Sequence, residues 1–207
     1  MSIVKLNNRG VKNATAFGSG VTALGTMILI KKLTASSSAT LSFVDGASSV
    51  VLDNTYKEYL FTFNNIHPAT DSAHFQFNMS VDAGSNYNVT KTSTMFRSFH
   101  FENDSATALA YDTNFDLAQS TNFQTLAQEI SSDNEDSCSG TLRIFNPNSD
   151  TFVKHFISTF NMVNLEPITM VMYGAGYGNT TSAVDGIQFK MSSGNIDAGD
   201  ICLYGIA

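Results

Sequence analysis

The chain has 207 residues, 43% of them apolar and only 14% charged, with 16 Phe, no Trp and a formal net charge of −7. That length suits one large domain, or a domain with an arm, and supplies ample apolar material for a core. An acidic balance argues against nucleic acid as the partner of the whole protein, because phosphate binding needs a basic face.

The charge is unevenly placed. Residues 1–44 hold Lys5, Arg9, Lys12, Lys31 and Lys32 and no acid, so they carry +5 and the remainder −12. Residues 21–30 are the longest apolar run, cut by Lys31 and Lys32 and too short to span a bilayer. No small-residue cleavage site follows it, so a chain folded in a cytoplasm, without membrane insertion, is expected.

Residues 1–25 contain glycines at 10, 18, 20 and 25 and show no sustained apolar period. They read as an extended arm, with one short strand at residues 3–6. Strand patterning starts at residues 27–33, turns at 35–38, resumes at 39–43 and turns again at Asp45-Gly46. Residues 49–52 form a short apolar strand. Residues 57–66 put Tyr59, Phe61 and Phe63 on one face against Glu58, Leu60 and Thr62, and Pro68 ends the run.

Residues 74–81 alternate most cleanly: Phe75, Phe77, Met79 and Val81 against His74, Gln76, Asn78 and Ser80. Residues 82–85 turn, 87–94 return, and 95–101 follow with aromatics on both faces. Residues 103–137 are richer in Asp, Asn, Ser and Thr, with Leu117, Phe123, Leu126 and Ile130 spaced loosely, as in a short helix or an irregular packed loop. They read as the long connection of the fold and the place for contacts with other molecules.

Residues 142–145 are a strand ending at Asn146-Pro147. Residues 151–162 oppose Phe152, Lys154, Phe156, Ser158 and Phe160 to Val153, His155, Ile157 and Thr159. Residues 168–173 are apolar on both faces, as an interior strand is, and Gly174, Gly176 and Gly178 then mark a bend or bulge. Ile187, Phe189 and Met191 alternate with polar residues, 193–199 loop, and Ile201, Leu203 and Ile206 close the chain in a strand expected inside a sheet. About ten strands with regular turn signals predict an all-β fold: an antiparallel β-sandwich, jelly-roll-like, over residues 26–207, behind an extended N-terminal arm at 1–25.

Catalytic constellations do not emerge. His67, His74, His100 and His155 have no partner at a motif spacing, and no phosphate-cradling glycine loop precedes a helix. Residues 80–87 match S-x-D-x-G-x-x-W with Tyr87 in place of Trp, a hairpin-capping device rather than an enzyme signature. Asp133, Asn134, Glu135 and Asp136 cluster oxygen ligands without EF-hand spacing, as a solvated loop does. Cys138 and Cys202 are too few for a disulfide framework; two small buried hydrophobes, or one bridge, fit them. Asn- and Ser-rich loops with Tyr87, Tyr111 and Tyr177 suit sugar binding and plain soluble turns alike. No cofactor, metal or enzymatic activity is expected.

Six runs bear a further likeness: MSIVKLNNRGVKNATAFGS at the start, TYKEYLFTFNNIHPATD at 55–71, SNYNVTKTST at 85–94, DLAQSTNFQ at 116–124, LRIFNPNSDTFVKHFIS at 142–158 and NTTSAVDGIQFKMSSGNIDAGDICLYGI at 179–206. Together they resemble small virion proteins encoded by marine tailed phages, including those of cyanobacteria. The resemblance covers nearly the whole chain and implies a structural role, with no functional residue to carry over. The expected role is capsid decoration or cement, in a homo-oligomer, with a trimer favoured. The alternative is a tail fibre or receptor-binding, lectin-like protein that contacts host-surface glycan. Expected partners are a major capsid protein or tail proteins, on a virion assembled in the host cytoplasm.

Physical chemistry assigns the arm its part. A glycine-rich basic segment cannot order itself by burial, but Ile3, Val4 and Leu6 can add a strand to an exposed edge, while Lys5, Arg9 and Lys12 favour an acidic neighbour. Removing residues 2–24 should leave a soluble, β-rich body by circular dichroism and abolish or strongly weaken incorporation into particles. Undiminished decoration would make the arm a solvated terminus.

Overall fold

The computed structural model describes residues 27–207; the arm residues Ile3, Val4, Lys5, Leu6, Arg9 and Lys12 lie outside them. The described residues form twelve strands and no helix. These are β1 Met27–Thr34, β2 Leu41–Val44, β3 Glu58–Pro68, β4 Ala73–Ser80, β5 Lys91–Phe101, β6 Thr107–Tyr111, β7 Gln124–Ile130, β8 Cys138–Phe145, β9 Lys154–Val163, β10 Ile168–Gly178, β11 Gly186–Met191 and β12 Ile196–Ile206.

They make two wholly antiparallel sheets, an eight-stranded one ordered β1-β12-β3-β8-β9-β10-β5-β6 and a four-stranded one ordered β2-β11-β4-β7. The chain crosses between sheets at eight of the eleven connections between described strands, staying in the large sheet at β5–β6, β8–β9 and β9–β10. The small sheet, with β3 to β6 in the large one, has the strand order of a jelly roll in which the meander β8-β9-β10 stands where one strand would. Three strands replace one without changing antiparallel parity. β12, the last strand, lies between β1 and β3, inside the large sheet as expected.

Alternation builds the core. Tyr59, Phe61 and Phe63 of β3 and Phe75, Phe77 and Met79 of β4 all point between the sheets and are fully buried. Phe63 sits at the centre, its ring 5.0 Å from Phe160, 5.1 Å from Phe189 and 5.4 Å from Phe75. Phe43 extends the cluster through Phe61 at 5.2 Å. Edge-to-face and tilted rings at these separations add specific geometry to apolar burial.

Several sequence expectations change. Residues 103–137 are not one irregular connection: they contain β6 and β7, and no helix forms around Leu117 or Phe123. β7 is buried on nearly every residue, but its pairing with β4 slips twice, once between Phe75 and Gln76 and once between Ala73 and Phe75. Those irregularities, with Glu129 at φ +47°, destroy the period of two that would have marked a strand. Residues 49–52 form no strand, although Val50 and Leu52 are buried. Residues 87–90 form none either, and β5 begins only at Lys91.

Gly174, Gly176 and Gly178 do not bend the chain. β10 runs through them in unbroken register with both neighbours. A Cβ on Gly176 would lie 2.5 Å from the Thr92 carbonyl oxygen and 2.7 Å from the Phe156 ring, so glycine there buys close packing. The loop expected at 193–199 is shorter: residues 193–195 turn the chain, and 196–199 already belong to β12, made irregular by register shifts against β3.

The centrality of Phe63 gives a direct test. Phe63→Ala should lower unfolding free energy by about 3–5 kcal/mol in urea titrations, while Val81→Thr, at a position 39% exposed just past β4, should cost less than about 0.5 kcal/mol. Equal losses would contradict this placement of the core.

Candidate interaction surfaces

The outer face of the large sheet is the first surface. Inward positions of β5, β9 and β10 hold Met95, Phe156, Phe160, Met170 and Met172, all buried. The opposite positions therefore face outward: Thr92, Thr94, Phe96, Ser98 and His100 on β5; Thr169, Val171, Tyr173, Ala175 and Tyr177 on β10; His155, Ile157, Thr159, Asn161 and Val163 on β9. Not one is Asp, Glu, Lys or Arg. Phe96 stacks on its cross-strand neighbour Tyr173 with centroids 4.9 Å apart, and Tyr111 of β6 pairs on its other side. His155 meets Tyr177 edge-to-face at 6.2 Å. Between these aromatics a groove of about 390 Å³ runs over Ala175, flanked by Thr94 and Ile157. β6 borders the face as an edge strand exposed along its whole length and free of charged side chains.

The second surface is a cleft of about 510 Å³ on the outer side of the small sheet. Its floor is the polar face of β4, β7 and β11: His74, Gln76, Thr125 and Lys190. Its wall is the segment joining β6 to β7, with Asn114, Phe115, Asn122 and Phe123. A buried polar hub holds that wall in place. Asn78 donates through Nδ2 to the Tyr87 carbonyl at 2.7 Å and the Thr121 carbonyl at 2.9 Å. Its Oδ1 accepts from Lys91 Nζ, which also donates to the Val89 carbonyl at 2.8 Å. Lys91 and Ser120 exchange backbone hydrogen bonds of 2.8 and 2.9 Å. Gln124 Nε2 donates to the Phe115 carbonyl at 2.9 Å.

His74 accepts the Glu129 backbone N–H at Nδ1, 2.9 Å, and lies edge-to-face with Phe115 at 5.0 Å. Burial holds its pKa below the ordinary value. The neutral ring that accepts at Nδ1 carries its proton on Nε2. The Lys190 ammonium lies 4.3 Å from the centre of the Phe123 ring.

The structure distributes the remaining flagged residues. Residues 80–87 do form a capped turn: Asp82 Oδ1 accepts from the Ser80 hydroxyl and the Asn86 N–H, each at 2.8 Å. The Asn86 amide, donating to Oδ2 at 2.7 Å, leads in holding the Asp82 carboxyl below its usual range. The turn is not a hairpin within one sheet, since β4 and β5 belong to different sheets. Tyr87 packs against Gly84, Tyr111 ends β6 and bonds Asp116 at 2.7 Å, and Tyr177 lies on β10. None of the three lines the cleft, so the aromatic signal for sugar pointed away from it.

Cys138 and Cys202 are both buried and both free, and burial pushes the Cys138 thiol pKa up. Among the described residues no three His, Cys, Asp or Glu side chains converge as a metal site. His67 meets the Asp133 carbonyl at 3.1 Å, and His100 meets Asp104 at 3.0 Å on the exposed rim. The ion pair of Arg97 Nε on β5 with Asp112 Oδ2, just past β6, at 3.3 Å, had no motif to announce it. Gln128 bridges it, its amide turned to accept from Arg97 and to donate to Asp112 at 3.1 Å.

No protein family, curated protein or solved structure matches the chain.

The hub titrates in a definite direction. Burial pulls Lys91 from 10.5 down to about 7. Between those values the folded chain holds Lys91 neutral while the unfolded chain keeps it protonated, so stability rises with pH across the window and the cost is constant below it. From pH 7 to 10, the wild type should gain stability relative to Lys91→Met by up to about 1.4 kcal/mol per pH unit. Parallel denaturation curves for the two proteins would refute the assignment.

Proposed function

We propose that this chain is a structural subunit of a tailed-phage virion, a decoration or cement protein that docks on the capsid. The carrying observation is the outward face of β5, β9 and β10, which lacks Asp, Glu, Lys and Arg on a chain of net charge −7. A face of Phe, Tyr, Ile and Thr desolvates cheaply, and depletion of charge with enrichment of aromatics is the composition of a protein–protein interface core. The remaining acidic surface opposes association through any other face. The occupant we assign is a second copy of this chain: the face and the adjoining β6 edge assemble the oligomer, of which a trimer is favoured, and the basic arm attaches it to the acidic surface of its neighbours on the particle. The virion role itself is supported by the resemblance of the six runs.

Labelled antibody against the protein, imaged by electron microscopy on purified particles, tests the role. Label over the capsid lattice is expected; label confined to the tail, or absent, would overturn decoration. In sedimentation, the wild type should form an oligomer that Tyr173→Asp converts to a monomer, which stays folded and β-rich by circular dichroism but unfolds at a lower midpoint because the stabilisation from association is lost. A monomeric wild type at micromolar concentration would remove the sheet face from the proposal.

A further inference from the structure

We infer that the cleft between the small sheet and the 112–123 segment is a binding site for an acidic sugar, a hexuronate residue of a surface polysaccharide. The inference is independent of where on a particle the subunit sits.

The first argument is the contrast between used and unused polar groups. Asn78, Lys91, Ser93, Ser120 and Gln124 spend hydrogen bonds on fixing the segment. The groups that line the cavity do not. Among the described residues, Lys190 Nζ, the side-chain amides of Asn114 and Asn122, the Thr121 hydroxyl and His74 Nε2 have no protein hydrogen-bond or ion-pair partner. Polar groups that converge on one cavity, unpaired, on a wall held rigid from behind, are a preorganised site.

The second argument is chemical. Side-chain amides present a donor and an acceptor side by side and hydroxyls do both, which matches the vicinal hydroxyls of a pyranose. Phe115, Leu117 and Phe123 provide apolar surface for the C–H face of the ring. The charge pattern narrows the class. The lining contains one cation, Lys190, one neutral donor ring, His74, and no Asp or Glu, on a chain with 18 acidic residues. A carboxylate between Lys190 Nζ and His74 Nε2–H would gain charge-assisted hydrogen bonds; no acid lines the cleft, and the nearest acidic neighbour of His74, Glu129, sits on the Nδ1 side of the ring, where its backbone N–H donates.

Titration with trigalacturonate and with the matching neutral trimer, galactotriose, followed by backbone amide NMR on the full chain, tests this. Saturable shifts confined to residues 114–125 and to β4 and β11 are expected with trigalacturonate, weakening as salt is raised. Lys190→Met keeps the stem over Phe123 and removes the charge; it should weaken trigalacturonate binding about tenfold or more and leave any galactotriose binding within about twofold. Asn122→Ala, on the exposed wall, should weaken both. Unchanged unfolding midpoints would place these losses in the site rather than the fold, and if Lys190→Met unfolds, Asn122→Ala alone decides. No saturable shift with trigalacturonate, equal affinity for the two trimers, or full binding by the variants would overturn the site.

Discussion

Four strands have to cover the inner face of eight. At about 4.8 Å per strand, the large sheet is roughly twice as wide as its partner, and the rest of the molecule answers that mismatch. Over the middle, aromatic rings fill the space: Phe61, Phe63 and Phe160 from the large sheet meet Phe43, Phe75 and Phe189 from the small one. Towards β1 the loop between β2 and β3 takes over, burying Val50 and Leu52 and laying Tyr56 against the bare backbone of Gly205. Towards β6, the bridged pair of Arg97 and Asp112 closes the rim beside Met95 and Met170. The ion pair is tolerated there because both charges have fixed partners, Gln128 bonding each of them.

The same mismatch shapes the two outer faces. Among the described residues nothing covers the large sheet's outer side, and its aromatics stack on one another across strands, as Phe96 does on Tyr173. The small sheet's outer side is crossed by the segment from β6 to β7, which must return from the far edge of one sheet to the edge of the other. That crossing creates the cleft. Its backbone groups are satisfied from below by Asn78, Ser93 and Gln124, which is why β4 carries a fully buried Asn on what alternation marks as its solvent face. Buried lysines do related work at strand starts: Lys154 donates to the Ser149 and Phe152 carbonyls at 2.6 and 2.7 Å, as Lys91 does to Val89. Among the described residues Lys91, Asp112 and Lys154 are the charged side chains that the fold buries.

Where alternation ran unbroken, local sequence was enough. The faces of β3, β4 and β9 could be read directly, down to Lys154 sharing the inward side with Phe156 and Phe160, except at the ends: Val81 and Phe152, read as inward, lie beyond β4 and β9 and are exposed. The sandwich class followed from those strands and their turns, and the Ser80 to Tyr87 turn from its capping residues. A half-buried strand needs only period-two chemistry, and a turn needs only its own few residues, so both are local properties. β7 escaped because its register slips twice against β4, and the continuation of β10 escaped because glycine looks the same in a bend and in a tight interior strand.

The surfaces were decided by tertiary structure alone. Nothing in residues 92–98, 155–161 or 169–177 taken singly says that their uncharged sides adjoin; β5, β10 and β9 become neighbours only through the meander and the jelly-roll order. The cleft needs His74, Asn122 and Lys190, separated by up to more than half the chain, and which groups stay unpaired there depends on which others the fold consumes. Composition and periodicity determined the class of fold and the identity of its core, because burial is a property of each strand. The meeting of distant faces, and with it every candidate for function, depended on strand order, which contacts between remote residues set and no local pattern encodes.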